Sequence, residues 1–133
     1  MNEDQIRKSL EQYLPCVVCP HDMLKSIVIK NKPAAIVINT DRKGTIGEHW
    51  VAVYLKTGKR GEFFDSFGLP PLHSDVLDFL NIECPNGWSY SNVTLQEYED
   101  TICGNLCICF LKFRSKGMSY KQFLKEFIQR TTR

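Results

Sequence analysis

An α+β domain, with a largely antiparallel central sheet and one buried, cysteine-bearing helix packed on it, is the fold class that the 133-residue chain predicts. Three features point there. Helix-patterned segments stand at both ends. Strand-like runs follow one another between residues 26 and 67. The stretch "ICGNLCICFLKF" (residues 102–113) is apolar around most of a helical circumference. No repeat, low-complexity tract or Gly/Ser/Pro-rich linker divides the chain, so residues 1–133 read as a single domain.

In order, Ile6, Leu10, Tyr13 and Leu14 follow helical spacing, with Asn2 placed to cap the start and Pro15 to end the run. "SIVIK" (Ser26 to Lys30), "AAIVINT" (Ala34 to Thr40), "HWVAVYLK" (His49 to Lys56) and "GEFFDSF" (Gly61 to Phe67) read as strands. The last two flank "TGKR", a Gly-containing hairpin loop. "LPPLHSDVLDFLN" reads as a turn and a short helix from near Ser74, and "WSYSNVTLQ" (Trp88 to Gln96) as a further strand. The buried helix follows, with Asp100 or Thr101 as N-cap, Lys112, Arg114 and Lys116 favouring its C-terminal end, and Gly117 closing it. Ser119 and Gln122 form a capping box for a last helix, stapled by Met118 and Phe123.

An apolar share of 43% and a charged share of 24% are those of a soluble globular protein. A net charge of +2 does not by itself argue for nucleic acid, and the basic stretches "LKTGKR" and "FRSKGMSYK" read as solvated loops and helix ends, so DNA contact has weak support. "MNEDQIRKSLEQYL" lacks the apolar run of a signal peptide, and no stretch is long enough to span a bilayer. The expectation is an intracellular, non-secreted, monomeric protein without membrane contact. In a reducing compartment its six cysteines are thiols, metal ligands or catalysts rather than disulfides. "CVVCPH" (Cys16 to His21) is half of a zinc site. Its other half would have to be Cys107 and Cys109, which point to different sides of a helix, so packing or a solvent-exposed turn is the preferred reading and no metal is expected.

Among the cysteines, position ranks Cys103 as the reactive one. It lies about three residues into its helix, where N–H groups and the helix dipole favour a thiolate, whereas Cys107 and Cys109 lie on the buried face. A nucleophilic cysteine needs a base, and the base an orienting group. His49 opens a strand whose hairpin partner carries Asp65. If Lys56 pairs with Gly61, Ala52 faces Asp65 and His49 falls about three residues from opposite, a gap that a bulge or longer loop would close. His21 and His73, beside prolines, read as solvent-exposed bystanders. Gln96, before the cysteine helix, is placed to bind an oxyanion together with the Cys103 N–H.

The ordered set Gly47-Glu48-His49-Trp50, Phe64-Asp65-Ser66-Phe67-Gly68, Gln96 and Cys103-Gly104 resembles the adenain family, the adenovirus-type cysteine endopeptidases. "AIVINTDRKGTIGEHW", "FFDSFG" and "CGNLCICFL" are similar to the family's histidine, acid and cysteine segments, and Gln96 stands seven positions before Cys103, as in that family. The likeness runs from about Cys19 to Leu111, in a compact form like those of virus-like DNA transposons or adenovirus relatives.

The resemblance implies the fold shared with ubiquitin-like-modifier proteases. Cys103 would be nucleophile, His49 general base, Asp65 orienting acid and Gln96 oxyanion donor. Trp50 would pack beside the site, and Gly104 would let substrate backbone approach. It further implies a thiol-dependent endopeptidase that cleaves near small residues, Gly in particular, in viral or mobile-element precursor proteins. It implies no cofactor, with stimulation by DNA or a peptide as in viral members, and a place in the host cytoplasm or nucleus or in a virus-like particle. Two alternatives stay open: an isopeptidase for a ubiquitin-like modifier, and a non-catalytic binding module that keeps the fold. In the isopeptidases the Gln-to-Cys spacing is typically one shorter and an Asp precedes the Cys-Gly pair. Ile102 holds that place here, which favours the viral type.

Overall fold

The computed structural model of the protein describes residues 1–40, 49–95 and 102–131. The elements run α1 (Glu3–Leu10), β1 (Cys16–Pro20), a 3-10 helix (His21–Ser26), β2 (Ala34–Asn39), β3 (Trp50–Lys56), β4 (Arg60–Phe64), α2 (Ser74–Glu83), β5 (Trp88–Tyr90), α3 (Cys103–Ser115) and α4 (Tyr120–Thr131). The strands form one sheet in the order β1-β2-β3-β4-β5. Its central strands β2, β3 and β4 are antiparallel, and β1 and β5 join the edges in parallel.

The sheet is covered on both faces because its inner strands are apolar at every position rather than at alternate ones. Ala35, Val37, Trp50, Ala52 and Phe64 meet α1, α3 and α4, whereas Ile36, Ile38, Val51, Val53 and Phe63 meet α2 and the 3-10 helix. Under α3 and α4 the rings of Phe64 and Phe110 stack at 4.8 Å, and Phe123 meets both edge-on at 5.8 Å. Such pairs add about 0.5–1.5 kcal/mol each beyond the area they bury.

Capping follows the sequence closely. Asn2 and Gln5 make a reciprocal capping box for α1, and Ser119 and Gln122 make one for α4. At the end of α3, Gly117 takes a φ of +82° and the Met118 N–H returns to the Phe113 carbonyl. The C-terminal end of α3 is also pinned to the sheet. Arg114 makes a bidentate ion pair with Glu62 on β4 at 2.8 and 2.9 Å, lies over the Tyr54 ring and donates to the Met118 carbonyl at 2.6 Å.

Four local expectations are corrected. The strand expected at Ser26–Lys30 is absent. Ser26 ends the 3-10 helix, residues 27–30 carry no regular structure, and the edge strand is instead "CVVCP", paired in parallel from Cys16↔Ala35 to Pro20↔Asn39. A proline at the end of an edge strand interrupts no ladder. The hairpin closes at Lys56↔Arg60, one residue tighter than expected, with Gly58 and Lys59 in the left-handed region. Cys109 is exposed rather than buried, because α3 lays only one face on the sheet and Asn105 and Cys109 fall on the other. Finally, Cys103 is the first residue of α3, with Ile102 as N-cap, and the expected caps Asp100 and Thr101 lie outside the described residues.

Cys16 and Cys19 illustrate the alternation of a strand. Cys16 packs on the α3 side of the sheet and Cys19 on the α2 side, so the pair cannot grip one ion. Burial raises Cys19 to about 11, the value of a packed thiol. No group of three or more His, Cys, Asp and Glu side chains placed to hold a metal ion occurs among the described residues. No helix there is long and apolar enough to cross a membrane.

Candidate active site

The hairpin register decides how the histidine meets the acid. Pairing of Ala52 with Phe64 extrapolates to His49 opposite Phe67, so Asp65 is a diagonal neighbour on the same face and no bulge is required. His49 Nε2 lies 3.1 Å from Asp65 Oδ1. That oxygen also accepts the Phe67 N–H at 2.9 Å, a side-chain turn over two residues that fixes the carboxylate before the imidazole reaches it. Phe67 then sits against the imidazole, ring centres 5.0 Å apart. The His49 backbone carbonyl accepts from the Thr40 N–H at 2.9 Å.

With Nε2 committed to Asp65, Nδ1 is the nitrogen left to face Cys103, and each of the two residues shifts the other's pKa. Helix α3 delivers the thiol from the opposite layer. The Trp50 N–H donates to Cys103 Sγ at 3.4 Å, and the Cys107 thiol, one turn further along α3, donates to the Trp50 carbonyl at 3.4 Å. The Trp50 peptide is thus clasped by two cysteines. Cys103, His49 and Asp65 are 4%, 6% and 5% exposed, so their charges interact with little screening by water.

Burial alone would push the Cys103 thiol up. Hydrogen bonds from His49 and the Trp50 N–H, the imidazole's charge and the Gly104 N–H outweigh it and hold the thiol below its ordinary value. Burial likewise pushes His49 down, but its hydrogen bonds with Asp65 and Cys103 prevail and hold the imidazole above its ordinary value. The two shifts favour the same state, a thiolate beside an imidazolium. The position of Cys103 at the first residue of a 13-residue helix favours the anion as well. Cys107, by contrast, is fully buried and held well above the ordinary thiol range, so it stays protonated and can donate.

Of the six residues singled out from sequence, the structure brings five together. Trp50 is buried, and its indole Cδ1 lies 3.3 Å from where a side chain on Gly104 would begin; the Met1 sulfur lies at the same distance on the other side. Glycine at 104 therefore serves close packing against Trp50 and Met1. Gln96 lies outside the described residues. The chain leading to it is docked on the acid loop: Leu95 N–H donates to the Ser66 carbonyl at 2.8 Å and Thr94 Oγ1 to the Phe67 carbonyl at 3.0 Å. A side chain at Gly68, where φ is +75°, would begin 2.9 Å from the Asn92 and Val93 backbones, so only glycine allows this docking.

Sequence reading missed Thr40 and the clasp by Cys107. The Asp-Ser-Phe turn was within reach, since Asp two residues before a free N–H is a known turn signal. His21 and His73 are not bystanders in solvent. They are half-buried and stacked at 4.4 Å, with His21 Nδ1 2.8 Å from Asp75 Oδ2.

No family model and no curated protein sequence matches the chain. Solved structures do. The ASFV pS273R protease superimposes with a TM-score of 0.54 over 68% of this chain, at 24% identity. The likeness is one of fold, a mixed α+β domain with a central, mostly antiparallel sheet. The chain accounts for 37% of the length of pS273R. The central domain of the uncharacterized Lpg1148 protein from Legionella pneumophila aligns over 97% of this chain and 85% of its own, at 18% identity and a TM-score of 0.48.

Proposed function

We propose that the protein is a thiol-dependent endopeptidase acting through Cys103, His49 and Asp65. The observation that carries this reading is geometric: Cys103 opens α3 with its Sγ accepting the Trp50 N–H at 3.4 Å, and His49, the residue before Trp50, is held by Asp65 at 3.1 Å. The Cys103 thiolate adds to the scissile carbonyl. The imidazolium protonates the leaving amine, and water then releases the acyl group with His49 as base. Backbone N–H groups at the start of α3 have no carbonyl partner within the helix and suit the oxyanion, with Gln96 as a further donor. The reading extends to cleavage beside small residues such as Gly in virus- or mobile-element-encoded precursors, by a monomer that needs no cofactor and works inside the cell. DNA or a peptide would act only as a stimulant.

Alkylation by iodoacetamide across pH tests the core of this reading. Cys103 should react at lower pH than Cys109, the exposed thiol. His49→Ala should move the inflection to higher pH, because the hydrogen bond and charge that oppose burial are gone, and Cys103→Ala should remove the fast phase. A Cys103 that alkylates no faster than Cys109 near neutral pH overturns the reading.

A further inference from the structure

His49 and Asp65 have a second side. On the sheet face away from α3 they form one wall of a cavity of about 390 Å³. Its floor is Val51, Phe63 and Val76, all nearly closed to solvent, and its rim is Pro70, Pro71 and Leu72. Thr40 and His73 supply the remaining polar edges. The volume falls in the range of ligand pockets, roughly 300–1,000 Å³, and an apolar lining with few polar groups is their usual make-up. The rim is preformed: two prolines restrict its backbone, and His73, stacked on His21, is tied through Asp75 to α2.

The chemistry at His49 says which part of a substrate comes here. The proton that the imidazole holds must pass to the leaving nitrogen, so that nitrogen lies against the ring. The acyl half is bonded to Cys103, and the residue carried by the leaving nitrogen starts beside His49, whose side chain also lines the cavity.

We propose that this cavity binds the apolar side chain of the residue that directly follows the scissile bond, so that the site selects the leaving half of its substrate as well as the acyl half. The proposal rests on the endopeptidase reading of Cys103. A Leu, Ile or Met side chain would cover the floor. An Asp or Glu would bring its charge into an apolar cavity beside the Asp65 carboxylate, and Gly would leave the floor uncovered.

Two measurements separate this proposal from the reading it rests on. Cys103→Ala protein is titrated with leucinamide and with glycinamide, free-amine mimics of the leaving half, and the methyl resonances of Val51, Val76 and Thr40 are followed. Leucinamide should shift them saturably and glycinamide should not. Val76→Phe, which fills the cavity, and Leu72→Asp, at its 67% exposed rim, should each weaken the shifts. Absent shifts, equal shifts from both amides, or shifts unchanged in both variants overturn the proposal, whatever Cys103 does. In the intact protein, Gly-Gly-X peptides are compared with X as Leu, Gly or Asp. Leu should raise kcat/KM about 10- to 100-fold over the others, the scale on which apolar pockets discriminate. Equal cleavage of all three, with fast alkylation of Cys103, overturns the pocket alone. No cleavage together with slow alkylation overturns the endopeptidase reading and leaves the leucinamide titration to decide the pocket.

Discussion

At the scale of single residues, Cys103 and Cys107 share one helix and one backbone neighbour yet are shifted in opposite directions. Cys107 has burial and no compensating cation, and its proton is used to grip the Trp50 carbonyl. Cys103 has burial too, but the imidazole, two N–H groups and the helix start reverse the balance. Asp65 acts one step back, by raising His49. Asp65→Asn keeps an acceptor for the Phe67 N–H but removes the charge that favours the imidazolium. His49 should then titrate at lower pH, and the pH at which Cys103 becomes alkylatable should rise. Because thiolate is the reactive form, the sign is a loss of rate on the acidic side of the profile. Peptide hydrolysis should fall within the 10²–10⁴-fold range that a positioned acid–base group contributes. An unchanged alkylation profile would assign Asp65 to packing only.

At the scale of elements, two glycines with similar backbone geometry make a controlled comparison. Gly58, in the β3–β4 turn, has a φ of +79° with open space around it, whereas Gly68 has a φ of +75° and backbone atoms of Asn92 and Val93 at 2.9 Å. Gly58→Ala should cost about 1 kcal/mol for the left-handed conformation alone. Gly68→Ala should cost about 2–4 kcal/mol, since the clash with backbone adds to that strain. Urea denaturation of both variants measures the difference; equal costs would mean that the 92–95 segment is not held by the acid loop. The elements also mark where sequence reading stops. Caps and inner strands were legible because they rest on local chemistry and unbroken apolar runs. "SIVIK" has the β-branched composition of a strand and "CVVCP" carries two cysteines and ends in proline, yet β2 pairs with the second. Edge pairing is chosen by the tertiary contacts available, which outweigh local propensity. The hairpin register was hidden by Lys59, a non-glycine residue at φ 57°. For the same reason the His49–Asp65 pair could be named from sequence while its diagonal geometry could not. A helix apolar on nearly all sides does not reveal which side faces out, so Cys109 was misplaced.

At the scale of the whole molecule, the site is assembled from two layers: the hairpin carries His49 and Asp65, and α3 carries Cys103. The far end of α3 is held by Arg114 and Glu62, whose side chains are 12% and 14% exposed, with Lys56 3.2 Å from the same carboxylate. Removing the Glu62 charge leaves that of Arg114 poorly solvated, so Glu62→Gln should destabilise the protein by about 3 kcal/mol. The double variant Glu62→Gln with Arg114→Met should recover part of that loss. A double-mutant cycle in urea checks this, and a Glu62→Gln cost below about 1 kcal/mol would reduce the pair to a surface contact.

The clasp on Trp50 has a consequence for the order in which this chain acquires reactivity. The hairpin closes between Lys56 and Arg60, so it can form as soon as those residues leave the ribosome, whereas the Trp50–Cys103 contact joins residues 53 apart. A chain in which the hairpin has formed but α3 has not docked would carry the histidine–aspartate half of the site together with an unactivated cysteine. On the proposed reading, docking of α3 would arm the thiol, and an excursion that lifts α3 would disarm it by breaking the Trp50 N–H bond to Sγ and separating Cys103 from His49. Reactivity would thereby be tied to completed folding.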